Sequence, residues 1–128
     1  MRLLLDTHIL LWTTSQSDKL SRKARQLLGD PDNILVFSTV SLWEIVIKRK
    51  LERDDFAVDP RELRRASLDN GYEELAITSM HAFAVEDLPP LHKDPFDRML
   101  IAQSRVEGIT LLTRDAQLLR YQGLVQKA

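Results

Sequence analysis

The segment "RLLLDTHILLW" (2–12) indicates the fold class because a strand-like apolar run ends at one acidic residue and a helical pattern follows it. Its first part, "RLLL" (2–5), is a short continuous apolar run, which is typical of a strand buried on both faces of a parallel sheet. Asp6 ends this run, and the following "HILLWTT" (8–14) predicts a short helix. The segment therefore predicts a buried strand, a turn that carries a polar residue, and a helix.

Three further stretches have the composition of strands and are separated by helical patterns. These strands are "ILVFS" (34–38), "YEELAIT" (72–78) and "ITLLT" (109–113), with a possible edge strand at 124–126. Helices are predicted at 19–28, at 40–51, from Pro60 to the Asn70-Gly71 pair, at 81–85, at 95–107 and after Asp115. Strands that alternate with helices predict an α/β fold in a single domain over residues 1–128, with a central parallel sheet of four to five strands flanked by helices.

The composition excludes several classes of function. Lys and Arg number 18 against 19 Asp and Glu, so the net charge of −1 gives no general attraction to nucleic acid or to an anionic membrane. The absence of cysteine excludes a disulfide framework, a thiolate metal site and a cysteine nucleophile, and it suits a reducing cytoplasm. The N-terminal apolar run is too short and too polar for a signal peptide or a membrane span. We therefore expect a cytoplasmic protein with no membrane partner.

Four acidic residues are predicted to meet at one edge of the sheet. Asp6 directly follows the first strand, and Asp115 lies two residues beyond the fourth. Glu44 falls in the first turns of the helix that follows the second strand, and Asp97 in the first turn of the helix that leads into the fourth. Because such helices run antiparallel to the strands, both begin at the carboxyl edge of the sheet, where ligands bind in open parallel sheets.

Carboxylates gathered at one place repel one another and require protons or a cation. A like-charged pair at about 4 Å costs about 4 kcal/mol at an effective dielectric constant of about 20. Hard oxygen ligands without thiolates favour Mg²⁺, with Mn²⁺ possible, over zinc. Such a cation can polarise a phosphodiester and lower the pKa of a bound water, so the pattern predicts metal-dependent phosphodiester hydrolysis. Thr7, Ser41 and Thr113 lie beside the acids and are candidates to hydrogen-bond them.

The segment "LHKDPFDRML" (91–100) allows two interpretations of its aspartates. Asp94 precedes Pro95, a pattern typical of a helix N-cap followed by a first-turn proline. Asp97 would then occupy the third helical position, where an acid can complete a capping box and interact favourably with the helix dipole. Its predicted proximity to the other three acids is what indicates a metal ligand.

The other acids also have ordinary structural explanations. Asp6 and Asp115 can each cap the element that follows a strand, and Glu44 can pair with Lys48 one helical turn further on. The basic cluster at 48–53 is interpreted as a solvated helix C-terminus, where cations interact favourably with the helix dipole. Each explanation can hold for one acid, whereas the coincidence of four such structural roles at one edge of a sheet favours a shared function.

The aromatic residues and histidines near the acids are less informative. Trp12 and Trp43 fall within apolar helical patterns and are interpreted as packing residues rather than base-stacking platforms. His8 and His92 are possible ligands or phosphate contacts, although histidines beside a metal site more often hydrogen-bond its ligands. The sequence does not identify the residues that would contact RNA.

Four segments resemble the PIN-domain ribonucleases, and in particular the VapC-type toxins of type II toxin-antitoxin systems. They are "LLLDTHILLW" (3–12), "STVSLWEIVIK" (38–48), "LPPLHKDPFDRMLIAQ" (88–103) and "LLTRDAQLLRY" (111–121). The resemblance implies that Asp6, Glu44, Asp97 and Asp115 bind Mg²⁺ or Mn²⁺. It also implies cleavage of single-stranded RNA, a homodimer, and a cognate antitoxin whose C-terminal segment lies across the active groove.

These observations lead to the hypothesis of a Mg²⁺-dependent endoribonuclease that acts on single-stranded or structured RNA as a toxin. In it, Asp6 and Asp97 are the primary metal ligands, Asp115 joins them or orients a water, and Glu44 positions or deprotonates the attacking water. A housekeeping PIN nuclease is the alternative within the family. Outside it, Asp6 could accept a phosphoryl group in a signalling domain, or the acids could form a non-catalytic docking surface for a basic partner.

Overall fold

The strand β1 (Arg2–Leu5) lies at the centre of a five-stranded sheet in the computed structural model, which describes residues 1–128. The other strands are β2 (Ile34–Ser38), β3 (Glu73–Leu75), β4 (Thr110–Thr113) and β5 (Val125–Lys127). Their order across the sheet is β3-β2-β1-β4-β5, and every neighbouring pair is parallel. Leu4 of β1 pairs with Val36 on one side and with Leu111 on the other. The predicted parallel sheet of four to five strands is confirmed, with five.

Six helices connect the strands and cover both faces of the sheet. They are α1 (Thr7–Thr14), α2 (Arg22–Gly29), α3 (Thr39–Lys50), α4 (Pro60–Asp69), α5 (Ser79–Glu86) and α6 (Pro95–Glu107). Short 3-10 turns occur at Ser17–Lys19, Asp54–Phe56 and Leu118–Arg120. None of the helices is long and apolar enough to cross a lipid bilayer.

Three elements differ from the prediction for local reasons. The helix predicted from residue 19 begins at Arg22, because the Ser21 hydroxyl accepts a hydrogen bond from the Ala24 N–H and caps the helix there. The third strand ends at Leu75, since Thr78 serves as the N-cap of α5. The helix predicted after Asp115 is only a 3-10 turn.

The sheet separates two hydrophobic layers, because side chains alternate in direction along each strand. Leu3, Leu5 and Leu112 pack into the layer that includes residues of α1 to α4. Leu4 and Leu111 pack into the opposite layer, which includes residues of α5 and α6. All three leucines of β1 are fully buried, as expected for a strand covered on both faces.

The helix α6 ends at Gly108, and substitutions there test whether its left-handed backbone conformation requires glycine. Gly108 adopts φ 67° and ψ 34°, and a Cβ built there meets no atom within 4 Å. Gly108→Ala should therefore lower the free energy of unfolding by about 1 kcal/mol through backbone strain alone. Gly108→Asn should cost less, because asparagine tolerates the left-handed region. Urea denaturation measures both, and equal stability of the alanine variant and the wild type would contradict this explanation.

Candidate functional site

The strand order reverses between β1 and β4, and the candidate site lies at the carboxyl ends of these two strands. From β1 the chain proceeds through β2 and β3 toward one edge of the sheet, whereas β4 and β5 lie toward the other. Ligands of open parallel sheets bind at such a reversal. Asp6 follows β1 directly, and Asp115 lies two residues after Thr113, the last residue of β4. The starts of α3 and α6 bring Glu44 and Asp97 to the same place.

A pocket of about 400 Å³ opens at this edge of the sheet. The four acids predicted from the sequence all line it: Asp6, Glu44, Asp97 and Asp115. They come from four separate segments of the chain, so their convergence depends on the tertiary fold and not on local sequence. The pocket has only two hydrophobic lining residues, which makes it a polar site.

Asp6 is the most constrained of the four acids. One carboxylate oxygen accepts a 2.8 Å hydrogen bond from the Ile9 N–H and caps α1, while the other accepts from the Thr113 hydroxyl. Burial raises the pKa of the Asp6 carboxyl above its usual value, and these two hydrogen bonds only partly oppose that effect. A negative charge here is therefore costly unless a positive charge lies next to it.

Glu44 is held between a hydroxyl and an ammonium group. The Thr7 hydroxyl oxygen lies 2.6 Å from Glu44 Oε1 and 2.9 Å from Ser41 Oγ. Since a carboxylate can only accept, Thr7 donates to Glu44 and accepts from Ser41. Lys48 Nζ lies 2.5 Å from Glu44 Oε2, and its side chain is 19% exposed. The prediction that Lys48 is solvated at the helix end is wrong: it forms part of the pocket wall and compensates the charge of Glu44.

The two aspartates of the segment 91–100 have different contacts. The Asp94 carboxylate accepts from the N–H groups of Phe96 and Asp97, at 2.8 and 3.1 Å, and is the N-cap of α6. The Asp97 carboxylate instead contacts His92 Nε2 at 2.7 Å. His92 Nδ1 faces the Asp94 N–H at 3.5 Å, which assigns the proton to Nε2, so that His92 donates to Asp97. Asp94 thus begins the helix, and Asp97 belongs to the pocket.

The proton affinity of Asp97 is unusually high. Its pKa is raised to about 7, first because the side chain is buried and then because the negative charges of Asp94 and Glu44 lie nearby. The hydrogen bond from His92 lowers the pKa but does not reverse this increase. Near neutral pH, Asp97 therefore exchanges between its protonated and ionised forms.

The donor set of the pocket fits a divalent cation. One ligand atom from each of His92, Asp97 and Asp115 lies within 4.8 Å of the other two. The carboxylate oxygens suit Mg²⁺ or Mn²⁺, whereas His92 directs its Nε2 proton at Asp97 and is placed to orient that ligand. The side chain of Asp115 is 40% exposed, so this part of the cluster is open to solvent. Asp6 lies in the same pocket but is held by the hydrogen bonds described above.

Two pocket residues were misinterpreted or overlooked in the sequence. Trp12 packs against the hydrophobic core, as predicted, but it also lines the pocket. Arg114 lines it as well and lies over the Trp12 indole, with 5.8 Å between the guanidinium carbon and the ring centroid. The position of Trp12 on α1, the helix that begins directly after Asp6, and of Arg114 next to Asp115 could have indicated both. Trp43, by contrast, does not line the pocket and is exposed.

Comparison with known proteins identifies the family. The model of the PIN domain matches residues 3–124. The chain belongs to the PIN-domain family. It is 28% identical, over 116 residues that make up 90% of this chain and 88% of the relative, to Ribonuclease VapC22 of Mycobacterium tuberculosis.

Solved structures with the same fold include a toxin-antitoxin complex from Klebsiella pneumoniae, with a TM-score of 0.62 at 20% identity, covering 97% of this chain and 95% of that one. VapBC2 from Rickettsia felis, bound to a DNA fragment from its promoter, has a chain that superposes with a TM-score of 0.73 at 16% identity, covering 99% of this chain and 98% of that one. DNA-bound VapBC from Salmonella typhimurium gives a TM-score of 0.67 at 14% identity, covering 99% and 98%. These similarities establish the PIN fold of VapC structures for this chain and confirm the family resemblance seen in its motifs.

The raised pKa of Asp97 predicts how the metal-free protein responds to pH. Because the folded chain holds this proton more tightly than the unfolded one, the proton stabilises the folded state at low pH. That contribution is lost as the pH rises from about 4, where the unfolded aspartate titrates, through about 7. Asp97→Asn removes this titration. The wild type should therefore lose stability relative to Asp97→Asn as the pH rises through this interval, by an amount on the order of 4 kcal/mol in the free energy of unfolding.

Urea denaturation in a chelating buffer at a series of pH values measures this difference. The control is Asp32→Asn, at an exposed turn outside the pocket. A constant difference between Asp97→Asn and the wild type from about pH 4 to about pH 8 would contradict the assignment.

Proposed function

We propose that this protein is a divalent-metal-dependent endoribonuclease that hydrolyses phosphodiester bonds of RNA. The observation that carries the proposal is the convergence of Asp6, Glu44, Asp97 and Asp115 on one polar pocket at the reversal point of the sheet. The relative VapC22 of Mycobacterium tuberculosis is named a ribonuclease and is similar over 90% of this chain, which supports the same activity here.

We assign the metal-holding role to Asp6, Asp97 and Asp115, with Mg²⁺ as the expected ion and Mn²⁺ as an alternative. When bound, the cation supplies positive charge that polarises the scissile phosphodiester. Asp97 must lose its proton to serve as a ligand, and the hydrogen bond from His92 orients its carboxylate for this role. The Thr113 hydroxyl orients Asp6 in the same way.

Glu44 is the residue suited to act on the attacking water. Thr7 and Lys48 hold its two carboxylate oxygens, so the side chain is fixed in the pocket. In this position it can orient a water molecule toward a phosphodiester and accept a proton from it. Lys48 also lines the pocket, where its ammonium group balances the charge of Glu44.

The biological context that we infer is a type II toxin-antitoxin system in the cytoplasm. The structural neighbours from Rickettsia felis and Salmonella typhimurium are described as VapBC complexes, and they support a toxin role with a cognate antitoxin as partner. A housekeeping PIN nuclease would use the same chemistry. A phosphoacceptor role is disfavoured because that chemistry needs a further acidic pair close to the first strand, and the segment around Asp6 supplies only one carboxylate.

Asp6→Asn tests the catalytic assignment. Asparagine preserves the acceptor that caps α1, so the fold should persist, whereas the loss of a negative ligand oxygen should weaken the metal site. We expect cleavage of a single-stranded RNA in Mg²⁺ to fall by about 100-fold or more, beyond the 10- to 100-fold typical of residues that only support a ligand. Gel analysis of RNA fragments measures the activity, and circular dichroism checks the fold.

The matched control is Glu62→Gln, an exposed acid in the first turn of α4 that lies outside the pocket. It should cleave at the wild-type rate and lose activity in a chelator, as the wild type should. Undiminished cleavage by folded Asp6→Asn, or cleavage that persists without divalent cations, would refute the proposed function.

We also propose a homodimer formed through the apolar face of α3 and α5. Trp43, Met80 and Phe83 are 58%, 62% and 65% exposed, which is unusual for large apolar side chains in a small monomer. A groove of about 420 Å³ lined mainly by apolar residues lies beside Trp43 and α5. A two-fold interface requires one surface to offer both protrusions and recesses, and this face offers both. A second copy of the chain is therefore the occupant that we assign to it.

Phe83→Glu tests the dimer, because it places an uncompensated charge in the proposed interface. Sedimentation should show the wild type as a dimer and this variant as a monomer at the same concentration. Leu124→Glu changes an apolar residue that is 40% exposed and does not line the groove, and it should remain dimeric. A monomeric wild type, or a Phe83→Glu variant that stays dimeric, would disprove the assignment.

A further inference from the structure

One wall of the acidic pocket is aromatic and basic. Trp12 is partly buried: it packs against the core and also faces the pocket. Its indole lies 5.8 Å from the His8 ring and 5.8 Å from the Arg114 guanidinium carbon. His8 in turn packs edge-on against Phe56, with ring centroids 5.2 Å apart. The indole therefore lies between His8 and Arg114 on this wall of the pocket.

The positive charge on this wall is placed beside the acids. Arg114 lies next to Asp115 in the chain, and its guanidinium donates to the Lys19 carbonyl at 2.9 Å. That contact fixes the side chain without neutralising it, because a carbonyl carries no formal charge. The Arg114 charge therefore remains available to a negatively charged ligand.

We propose that Trp12 and Arg114 form a stacking site for one unpaired nucleobase of the RNA, next to the phosphodiester that is cleaved. This inference rests on the proposed function and names the side chains that would account for the single-strand preference implied by the family resemblance. Flat aromatic rings stack with any base, and a neighbouring guanidinium adds cation–π attraction and binds the phosphate. A base inside a duplex cannot reach the indole, because it is already stacked between its neighbours. The pocket thus selects single-stranded over double-stranded RNA at the cleavage position.

The nucleobase is favoured over a peptide side chain by the location of the indole. Trp12, Arg114 and the four acids line the same pocket of about 400 Å³. A nucleotide is a ligand that offers, within one small unit, a flat ring for Trp12, a phosphate for Arg114 and an oxyanion for a cation held by the acids. A peptide segment could place an aromatic ring or a carboxylate there, but it would not supply the ring, the phosphate and the oxyanion within one unit.

The chain contains two tryptophans, which permits a direct test by fluorescence. In Trp43→Phe the only indole is Trp12, and in Trp12→Phe the only indole is Trp43. Each variant is titrated in Ca²⁺ buffer with a single-stranded oligouridylate, and separately with a duplex RNA of equal length. Ca²⁺ neutralises the acids but has a looser coordination geometry than Mg²⁺, and gel analysis confirms that the RNA stays intact.

The expected result is quenching by the single strand in Trp43→Phe, with no change in Trp12→Phe and no quenching by the duplex in either variant. Anisotropy of a labelled oligouridylate then measures affinity. Trp12→Leu should weaken binding by about 5- to 100-fold, whereas Trp12→Phe retains a ring and should lose less. Circular dichroism confirms that both variants are folded.

Each outcome has a distinct meaning for the two proposals. If the oligouridylate binds but Trp12 is not quenched, or if Trp12→Leu binds as tightly as Trp12→Phe, the stacking site is refuted while the nuclease proposal stands. Quenching by the duplex equal to that by the single strand would also refute it. If Trp12 responds only to a peptide from a partner protein and not to RNA, the wall is a protein-binding site and the inference is wrong. Binding with quenching but no cleavage in Mg²⁺ would refute the nuclease proposal alone.

Discussion

The parallel pairing of β1 with β2 on one side and β4 on the other is the constraint on which the site depends. It directs the carboxyl ends of all three strands toward one edge and places the reversal of strand order between β1 and β4. The acids could not meet without it, because Asp6 and Asp115 are more than a hundred residues apart in the chain. The hydrogen bond between Thr113 and Asp6 joins the ends of β1 and β4 directly.

The same arrangement concentrates negative charge in a partly buried place, and the chain compensates it locally. Lys48 neutralises Glu44, the proton held by Asp97 removes another charge near neutral pH, and hydroxyl groups donate to Asp6 and Glu44. These contacts reduce the repulsion among the acids before any cation binds. A site of this kind differs from a structural zinc site, where folding and metal binding are one event.

The sequence predicted the sheet, the helix order and the four acids that line the pocket. These succeed because they depend on short apolar runs, on capping residues such as Asp94 and on the rule that ligands bind at the carboxyl edge of parallel strands. The prediction failed where a side chain has two roles. Lys48 looked like a solvated helix end and Trp12 like a packing residue, because periodicity reports burial but not which pocket a half-buried side chain faces. The catalytic roles of the acids remain predictions.

The edges of the sheet limit how copies of this chain can associate. β3 and β5 have only three residues each, and both carry charged side chains. Glu73 pairs with Arg2 and Glu74 with Arg64, so the outer strand is bordered by ion pairs. Short, charged edge strands resist pairing with another sheet. Intermolecular β-pairing, the first step of aggregation into fibrils, is therefore blocked at both ends, which leaves the helical faces as the surfaces through which the protein can assemble.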